Sequence, residues 1–281
     1  MNIDRIIIIL ETISISGRPI STTEIHKITR IPKPTCYRTV EQLLFHGILD
    51  DPNDNGKYLV GERLRTIAMA GTPDKDICLA ISPLLQETAK KFDEAVFLSR
   101  FRNNGVEIIH VETPKDMTSS FVHPGLGFRP LHACSCSKAI LAFSEDSFKQ
   151  QILTAPKKQY TQNTKISKTE LEKELKKIKE KGYAECVEEI QNGIASVAVP
   201  IKIRKIETLF SIGTIGPVNV FDAQKRNSLG NQLLKLSHQC SHILELNITY
   251  YPQNISDLNF IGLDVLQLFQ KTPNPVLIQK L

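Results

Sequence analysis

The segment from residue 20 to residue 60 constrains the fold most, because its helix-boundary signals come in a fixed order. Ser21-Thr22-Thr23-Glu24 has the spacing of a capping box, in which a hydroxyl and a carboxylate satisfy free N–H groups at a helix start. Pro32 ends that helix, and Pro34 suits the first turn of the next, where its missing N–H costs nothing. Gly47 follows in the position that glycine favours after a helix. We therefore predict two helices joined by a turn, the second over residues 35–45.

A β-hairpin is predicted directly after this helix pair. Ile48-Leu49-Asp50 and Lys57-Tyr58-Leu59-Val60 flank a run of turn residues, Pro52-Asn53-Asp54-Asn55-Gly56. One further helix is predicted at the start of the chain, where apolar residues recur at helical spacing: Ile3, Ile6, Ile7, Leu10 and Ile13. Helix, turn, helix and hairpin in this order are typical of a winged helix-turn-helix domain, which we place at residues 1–65.

The apolar stripe of the first helix is wider than a small domain needs. Ile8 and Ile9 widen it. We expect these two residues to form a dimer surface, with packing in the domain's own core as the alternative.

The net charge does not by itself indicate a nucleic-acid partner. The 281 residues include 35 Lys and Arg against 30 Asp and Glu, a formal net charge of +5. Residues 157–181 hold nine lysines and four glutamates, which equals that surplus and is most simply a solvated helix face. Residues 18–38 hold five basic residues against Glu24 alone, so a local basic patch lies within the predicted helix-turn-helix.

Beyond Gly71-Thr72-Pro73, the predicted hinge, helices and strands are mixed. A helix predicted over residues 62–70 leads to this hinge. Beyond it, helices are predicted over residues 81–92, 137–143, 167–182 and 223–246, and strands over residues 95–101, 106–112, 196–203 and 208–215. We assign residues 66–76 to a linker, 77–250 to a second domain and 251–281 to a tail of unknown role.

Several classes of protein are excluded by what the sequence lacks. No run of 18 uncharged apolar residues appears, and residues 6–10 are too short for the core of a secretory signal, so we expect no membrane partner. Six cysteines without such a signal predict reduced thiols and a cytoplasmic location. No Gly-x-Ser-x-Gly elbow, phosphate-binding glycine loop or His-Glu-x-x-His motif is present, so we expect neither an enzyme nor a cofactor.

Four stretches of the chain, which together span roughly residues 3–248, resemble the IclR family of transcriptional regulators. They are Ile31-Pro32-Lys33-Pro34-Thr35-Cys36-Tyr37-Arg38; Gly56-Lys57-Tyr58-Leu59-Val60-Gly61; Arg129-Pro130-Leu131-His132-Ala133 with Ser137-Lys138-Ala139-Ile140-Leu141-Ala142; and Lys181-Gly182-Tyr183-Ala184 with Glu188-Glu189 and Asn192-Gly193-Ile194.

The resemblance implies an α+β protein. A winged helix-turn-helix domain is followed by a larger GAF-like α/β effector-binding domain with a central antiparallel sheet. Such proteins are dimers or tetramers that bind double-stranded operator DNA and respond to a small-molecule effector. We expect a ligand-responsive regulator of this kind, and a repressor rather than an activator.

The residues expected to contact DNA lie on the second helix of the motif and around it. That helix enters the major groove N-terminus first, so its early side chains reach the bases. Arg38 is the expected base reader, because a guanidinium can donate to both acceptors of guanine. Pro34 stands where the family has a small hydroxyl residue. For two of the expected contacts there is an alternative: Tyr37 packs on the core of the domain, and Lys57 is only a solvated charge on the wing. The full set is Ser21, Thr22, Lys33, Pro34, Thr35, Tyr37, Arg38, Thr39, Lys57 and Tyr58.

The resemblance also places an effector pocket in the second domain. Several relatives have hydroxyls or a carboxylate where this chain has Cys186, Gly213 and Ile215, which favours a less polar ligand. A small organic or sugar acid still fits, because the N–H groups near residues 135–137 begin a helix. The expected pocket residues are Cys134, Ser135, Cys136, Cys186, Ile194, Ser196, Gly213 and Ile215.

A thiol- or metal-sensing regulator is the alternative. Cys134, Cys136 and Cys186, with His132, could bind a soft metal or react with an oxidant. The Cys-x-Cys spacing does not favour a structural zinc site, which uses Cys-x₂₋₄-Cys pairs. We therefore expect no bound metal, and we expect His132 to be a structural hydrogen-bonding residue.

Overall fold

The structure is a computed structural model. It describes residues 3–114, 121–203 and 208–248, with side chains up to residue 245. The predicted tail, 251–281, lies outside the described residues. The described chain divides into two compact units, one ending at Met69 and one beginning at Ala70. Among the helices of the described residues, none is both long enough and apolar enough to cross a membrane.

The first unit is a winged helix-turn-helix. Its sheet has the antiparallel order β1-β3-β2. Its elements are α1 Ile3–Ile15, β1 Ile20–Ser21, α2 Thr22–Thr29, α3 Lys33–Phe45, β2 Leu49–Asp50 and β3 Lys57–Val60, and α4 Glu62–Gly71 continues across the boundary. The second helix of the motif, α3, begins at Lys33 rather than at the predicted residue 35, with Pro34 in its first turn.

Local hydrogen bonds at the helix ends explain this order of elements. The Ser21 Oγ accepts a hydrogen bond from the Glu24 N–H at 3.3 Å, and the Glu24 carboxylate accepts one from the Ser21 N–H at 2.9 Å. The capping box is therefore complete on both sides. After α3, Gly47 has a φ of +66°, a left-handed conformation that glycine adopts without strain.

The core of the first unit is built largely of isoleucine. Ile9, Ile13, Ile20 and Ile25 are each at most 1% exposed. The expectation that Ile9 belongs to a dimer surface is wrong, and Ile8 packs against the same core while partly buried. The width that Ile9 adds to the apolar stripe thus serves core packing, and the dimer surface stays a prediction for Ile8.

The second unit is a six-stranded antiparallel sheet with helices on it. The strand order is β6-β5-β4-β9-β8-β7. Its elements are α5 Asp74–Phe92, β4 Ala95–Arg102, β5 Gly105–Glu112, β6 Gly127–Arg129, α6 Ser135–Phe143, α7 Asp146–Thr154, α8 Lys168–Lys181, β7 Ala184–Val187, β8 Ile194–Ile201, β9 Phe210–Pro217 and α9 Ala223–Ile248. The predicted fold class, an α+β chain whose larger part has a central antiparallel sheet, is confirmed.

Two groups of helices cover the sheet. α6 and α8 share one hydrophobic cluster with sheet residues such as Phe97 and Ala198. α5 and α9 contact each other and the sheet, but contribute no residue to that cluster. Because neighbouring residues of a strand point to opposite faces, we infer that the two groups lie on opposite sides of the sheet.

A buried arginine fixes the beginning of the second unit to its sheet. Arg100, on β4, donates hydrogen bonds to the Ala70 carbonyl at 2.5 Å and the Thr72 carbonyl at 2.7 Å. It also donates to the Asp74 carboxylate at 2.6 Å, and Asp74 in turn accepts from Arg102 at 2.7 Å. The residues that the sequence predicts as a hinge are therefore bound to strand β4.

Candidate functional site

The exposed part of α3 is the first candidate site. Lys33, Pro34, Tyr37 and Arg38 are exposed at the beginning of the helix, and Thr35 is half-buried. The Lys33 ammonium lies over the Tyr37 ring at 5.9 Å from its centroid. Tyr37 is 50% exposed, so about half of its surface does not pack on the core. In the part of the chain that the structure describes, neither Lys33 nor Arg38 forms an ion pair with an acidic side chain.

Two of the predicted DNA-contacting threonines have buried side chains. Thr39 and Thr22 are each 3% exposed. Thr39 shares its buried helix face with Cys36, Val40 and Leu43, at the i, i+3, i+4 spacing of a core-facing stripe. The expectation that the Thr39 side chain reaches a base is therefore wrong, and the spacing already contained the signal.

The wing lies beside the beginning of α2. Ser21 on β1 pairs with Lys57 on β3, and Ile20 pairs with Tyr58. Lys57 is exposed, whereas Tyr58 packs against the core of the unit and burial raises its pKa. The Ser21 hydroxyl is part of the helix cap. Strand pairing therefore brings one exposed cation, Lys57, to the N-terminus of α2.

The second candidate site is a cavity of about 400 Å³ in the second unit. It lies between the sheet, the segment before α6 and the residues around β7. The described residues that line it are Phe97, Ile108, Val122, His123, Pro124, Phe128, Arg129, Pro130, Cys134, Tyr160, Cys186, Ile190, Gln191, Ile194, Ser196 and Ile215.

Five of the eight predicted pocket residues line this cavity: Cys134, Cys186, Ile194, Ser196 and Ile215. Strand register explains why three of them meet. Cys186 on β7 pairs with Ser196 on β8, and Ser196 pairs with Ile215 on β9. Residues far apart in the chain thus form one row across the sheet.

The other three predicted residues lie behind the wall. Ser135 is fully buried, and its hydroxyl is 2.7 Å from the hydroxyl of Ser196. Gly213 pairs with Phe97 across the sheet, and a Cβ added at Gly213 would stand 2.4 Å from the Phe97 ring. Cys136 is fully buried next to Cys134. These residues support lining side chains without touching the cavity themselves.

Arg129 gives the cavity its charge. No Asp, Glu or Lys side chain is among the described residues that line it. The Arg129 guanidinium donates to the carbonyls of Pro124 at 2.6 Å, Gly125 at 2.8 Å and Phe128 at 3.2 Å. The resemblance included Arg129 in a matching stretch but assigned it no role. Its place in the cavity depends on the pairing of β6 with β5, which no local pattern shows.

The cavity thiols differ in their surroundings. Burial raises the pKa of Cys186 to about 12. The Sγ atoms of Cys134 and Cys136 are 3.3 Å apart at the beginning of α6.

His132 does not line the cavity. Its Nε2 is 2.9 Å from the Lys158 carbonyl oxygen, and burial lowers the pKa of His132. No group of three or more metal-ligating side chains capable of holding a metal ion occurs within the described residues.

A buried ion-pair network holds one side of the cavity. The Lys138 ammonium, which is fully buried, lies 2.6 Å from the Glu189 carboxylate and 3.1 Å from that of Glu174. Burial lowers the pKa of Lys138, but these two carboxylates outweigh it and raise the value. Glu189 directly precedes Ile190 and Gln191, which line the cavity. The network therefore fixes the backbone from which these two side chains project.

Known proteins with similar sequences are transcriptional regulators. The family model described as the C-terminal part of the bacterial transcriptional regulator IclR matches residues 70–242, more than half of the chain. The HTH-type transcriptional regulator XynR of Escherichia coli K12 is 25% identical over 202 residues, which are 71% of this chain and 79% of that protein. The glycerol operon regulatory protein of Streptomyces coelicolor is 24% identical over 217 residues, which are 77% and 85% of the two chains.

Solved structures show the same fold. An IclR homologue from Microbacterium hydrocarbonoxydans, complexed with 4-hydroxybenzoate, superposes with a TM-score of 0.55 at 20% identity, covering 87% of this chain and 99% of that chain. The described residues that line the cavity all fall inside the range matched by the family model. The relatives are named as regulators and not as enzymes. The chain belongs to the IclR family of transcriptional regulators.

Proposed function

We propose that the protein is a cytoplasmic, homo-oligomeric repressor that reads operator DNA with α3 and releases it when a small organic acid binds in the cavity. One observation carries the choice of ligand. Arg129 is the single ionic side chain in the described lining, and most of the remaining lining is apolar. A monoanion with an apolar body complements that arrangement.

The shape and polarity of the cavity support an acid with a ring or a branched body. Its volume of about 400 Å³ is in the range of small-molecule pockets. Phe97, Phe128 and Tyr160 supply aromatic surface. Cys134, which lines the cavity, is also the N-cap of α6, so the positive end of the helix dipole lies at the wall. The related structure from Microbacterium contains 4-hydroxybenzoate, an acid of this kind.

The DNA-reading surface supports the other half of the proposal. Arg38 is exposed at the start of α3 and can donate to guanine in the major groove. Lys33 and Lys57 are exposed cations that suit phosphate contacts. One winged helix contacts a single half-site, so we propose a dimer or tetramer that places two such surfaces on one operator.

Calorimetric titration with pairs of acids and amides tests the ligand class. Benzoate, 4-hydroxybenzoate and straight-chain carboxylates are each compared with their own amides. At least one acid is expected to bind about tenfold or more tightly than its amide, because a hydrogen bond to a charged group is worth about 1.5–3 kcal/mol. Arg129→Gln is expected to remove this preference and to leave binding of the amide unchanged.

The amide is the control for cavity integrity, since Arg129 also holds the carbonyls of residues 124 and 125. Equal binding of acid and amide to the wild type contradicts the proposal. So does a full preference for the acid in Arg129→Gln, or binding of no acid in the series.

A further inference from the structure

Cys134 and Cys136 form a close dithiol at the wall of the cavity. Their Sγ atoms are 3.3 Å apart. Cys134 is the N-cap of α6 and Cys136 lies in its first turn, so one helix end fixes both side chains. Cys134 lines the cavity, whereas Cys136 is fully buried. A molecule in the cavity can therefore contact Cys134 but not Cys136. Cys136 can react only with the neighbouring Cys134.

The surroundings favour a negative charge on this pair. The N-terminus of α6 carries a partial positive charge, which stabilises a thiolate. Burial opposes ionisation of Cys136, but hydrogen bonds with the Cys134 and Ser137 side chains outweigh it and lower the pKa of Cys136. The same hydrogen bond, together with burial, raises the pKa of Cys134, and the Arg129 guanidinium favours the ionised form of both. The pair can thus hold one thiolate, which rests on Cys136, and one S–H donor, on Cys134. Because the two sulfurs are 3.3 Å apart, the proton can move from Cys134 to Cys136, and the thiolate is then on the sulfur that lines the cavity.

The other cysteines provide an internal comparison. Cys186 lines the same cavity, yet burial raises its pKa to about 12. Cys240 is fully buried, and burial raises its pKa to about 12 as well. Cys78 is half-buried on α5 and does not line the cavity. The structure describes all six cysteines. Among them, Cys134 alone both lines the cavity and has a second thiol beside it.

We propose that Cys134 is an oxidation site with Cys136 as its resolving thiol, and that an organic hydroperoxide in the effector cavity converts the pair to a disulfide. The apolar lining favours an organic hydroperoxide over hydrogen peroxide. The site does not depend on the identity of the acid, but its effect on operator binding rests on the proposed function.

The reaction proceeds in two steps. Transfer of the shared proton to Cys136 leaves the thiolate on Cys134, which attacks the terminal oxygen of the hydroperoxide. The O–O bond breaks, Cys134 becomes a sulfenic acid, and the alkoxide takes up the proton that the pair had released. The Cys136 thiol then attacks the sulfenic sulfur, the S–S bond forms, and the hydroxyl leaves as water with the thiol proton. Two thiols and one hydroperoxide give one disulfide, one alcohol and one water.

Closure of the disulfide moves the wall of the cavity. The S–S bond length is about 2.05 Å, so the two sulfurs must approach from their 3.3 Å separation. This movement takes place at the beginning of α6, where the positive end of the helix dipole lies at the cavity wall. Oxidation is therefore expected to change the affinity for the acid, and through it the affinity for the operator.

Peptide mapping by mass spectrometry after peroxide treatment tests the site directly. The full chain is treated with cumene hydroperoxide or with hydrogen peroxide, free thiols are alkylated after denaturation, and each cysteine peptide is quantified. The peptide with Cys134 and Cys136 is expected to lose alkylation at both residues and to regain it after reduction with dithiothreitol. Loss is expected to be faster with cumene hydroperoxide, and Cys186 and Cys240 are expected to remain alkylated.

Three variants separate the roles of the thiols. Cys136→Ser is expected to accumulate a sulfenic acid on Cys134 that dimedone traps, and Cys134→Ser to remain unoxidised at Cys136. Cys186→Ser, a change in the same cavity, is expected to leave the oxidation of Cys134 and Cys136 at the wild-type rate. If a variant does not fold, the peptide map of the wild-type protein still shows whether Cys134 and Cys136 are oxidised.

The proposal is overturned if Cys134 and Cys136 stay fully alkylated after peroxide treatment. It is also overturned if Cys78 or Cys186 is oxidised as fast, or if Cys136→Ser gives no dimedone adduct. Because this readout is covalent and needs neither acid nor DNA, its failure leaves the proposed function standing. Failure of the acid titration in turn leaves the dithiol result interpretable.

Discussion

Glu94 is a buried carboxyl between α5 and β4. Glu94 is only 5% exposed. Burial raises the pKa of Glu94 to about 7, while Lys225 lowers it and Asp93 raises it further. An ordinary glutamate loses its proton near pH 4.3. The folded protein therefore holds this proton over a range in which the unfolded chain has already released it.

This difference makes the stability of the second unit depend on pH. Between about pH 4.5 and pH 7 the unfolded state binds fewer protons at Glu94 than the folded state, so stability falls as pH rises. The loss from this group is on the order of 3 kcal/mol and is complete above pH 7. Glu94→Gln is expected to remove that part of the pH dependence and to stabilise the protein at pH 8.

Urea denaturation at pH 5 and pH 8, followed by circular dichroism, measures this effect. Glu87→Gln, a change at an exposed position on α5, is the matched control and is expected to follow the wild type. An unchanged pH dependence in Glu94→Gln would mean that the buried carboxyl is not the group responsible.

The sequence predicted which residues line the cavity only where they belong to stretches that resemble the family. Cys134 and Ser196 line the cavity as the resemblance implied, but Ser135, Cys136 and Gly213 lie behind it. Whether a side chain faces the cavity or the layer behind it depends on helix phase and strand register, which a motif does not specify. Phe128 and Tyr160 belong to the lining because distant segments converge, and the residues around each contain no signal of this.

At the scale of single elements, α3 allows a sharp test of DNA reading. Arg38→Ala is expected to weaken operator binding by about 1–3 kcal/mol and to reduce discrimination between operator and unrelated DNA. Lys33→Ala is expected to weaken binding to all sequences alike and to lower the salt slope by about one. The difference arises because a base contact depends on sequence and a phosphate contact does not.

Fluorescence anisotropy with labelled operator and unrelated DNA, at several salt concentrations, distinguishes the two effects. Lys176→Ala is the charge-matched control, since Lys176 is exposed on the lysine-rich helix α8. It is expected to leave both affinities unchanged. Equal losses on operator and unrelated DNA for Arg38→Ala would assign Arg38 to phosphate instead of to a base.

Elements with strong local signals were predictable, and elements made by pairing were not. The capping box and the prolines predict α2 and α3 because they act within a few residues. β6 has three residues and exists through its pairing with β5, and β7 has four residues paired with β8. The start of α5 at Asp74 was missed by seven residues, although Asp74 and Asp76 in its first turn are a recognisable signal.

On the scale of the whole molecule, strand β4 connects the cavity to the start of the second unit. Phe97 on this strand lines the cavity, and Arg100 holds the carbonyls of Ala70 and Thr72. Residues at the start of the second unit are therefore hydrogen-bonded to a strand that also contributes to the cavity lining. We expect the proposed acid to act through β4, since a ligand that shifts this strand also shifts the residues bound to Arg100.

The central claim is that an acid bound in the cavity changes the affinity for operator DNA. The most direct measurement is a titration of labelled DNA from the region upstream of the protein's own gene, by fluorescence anisotropy, with and without a saturating acid identified by calorimetry. The wild type is expected to lose about tenfold in operator affinity with the acid, a coupling of about 1.4 kcal/mol, which lies within the usual range of about 1–3 kcal/mol. Arg129→Gln is expected to bind the operator normally and not to respond. An operator affinity that stays constant in the wild type at saturating acid contradicts the claim.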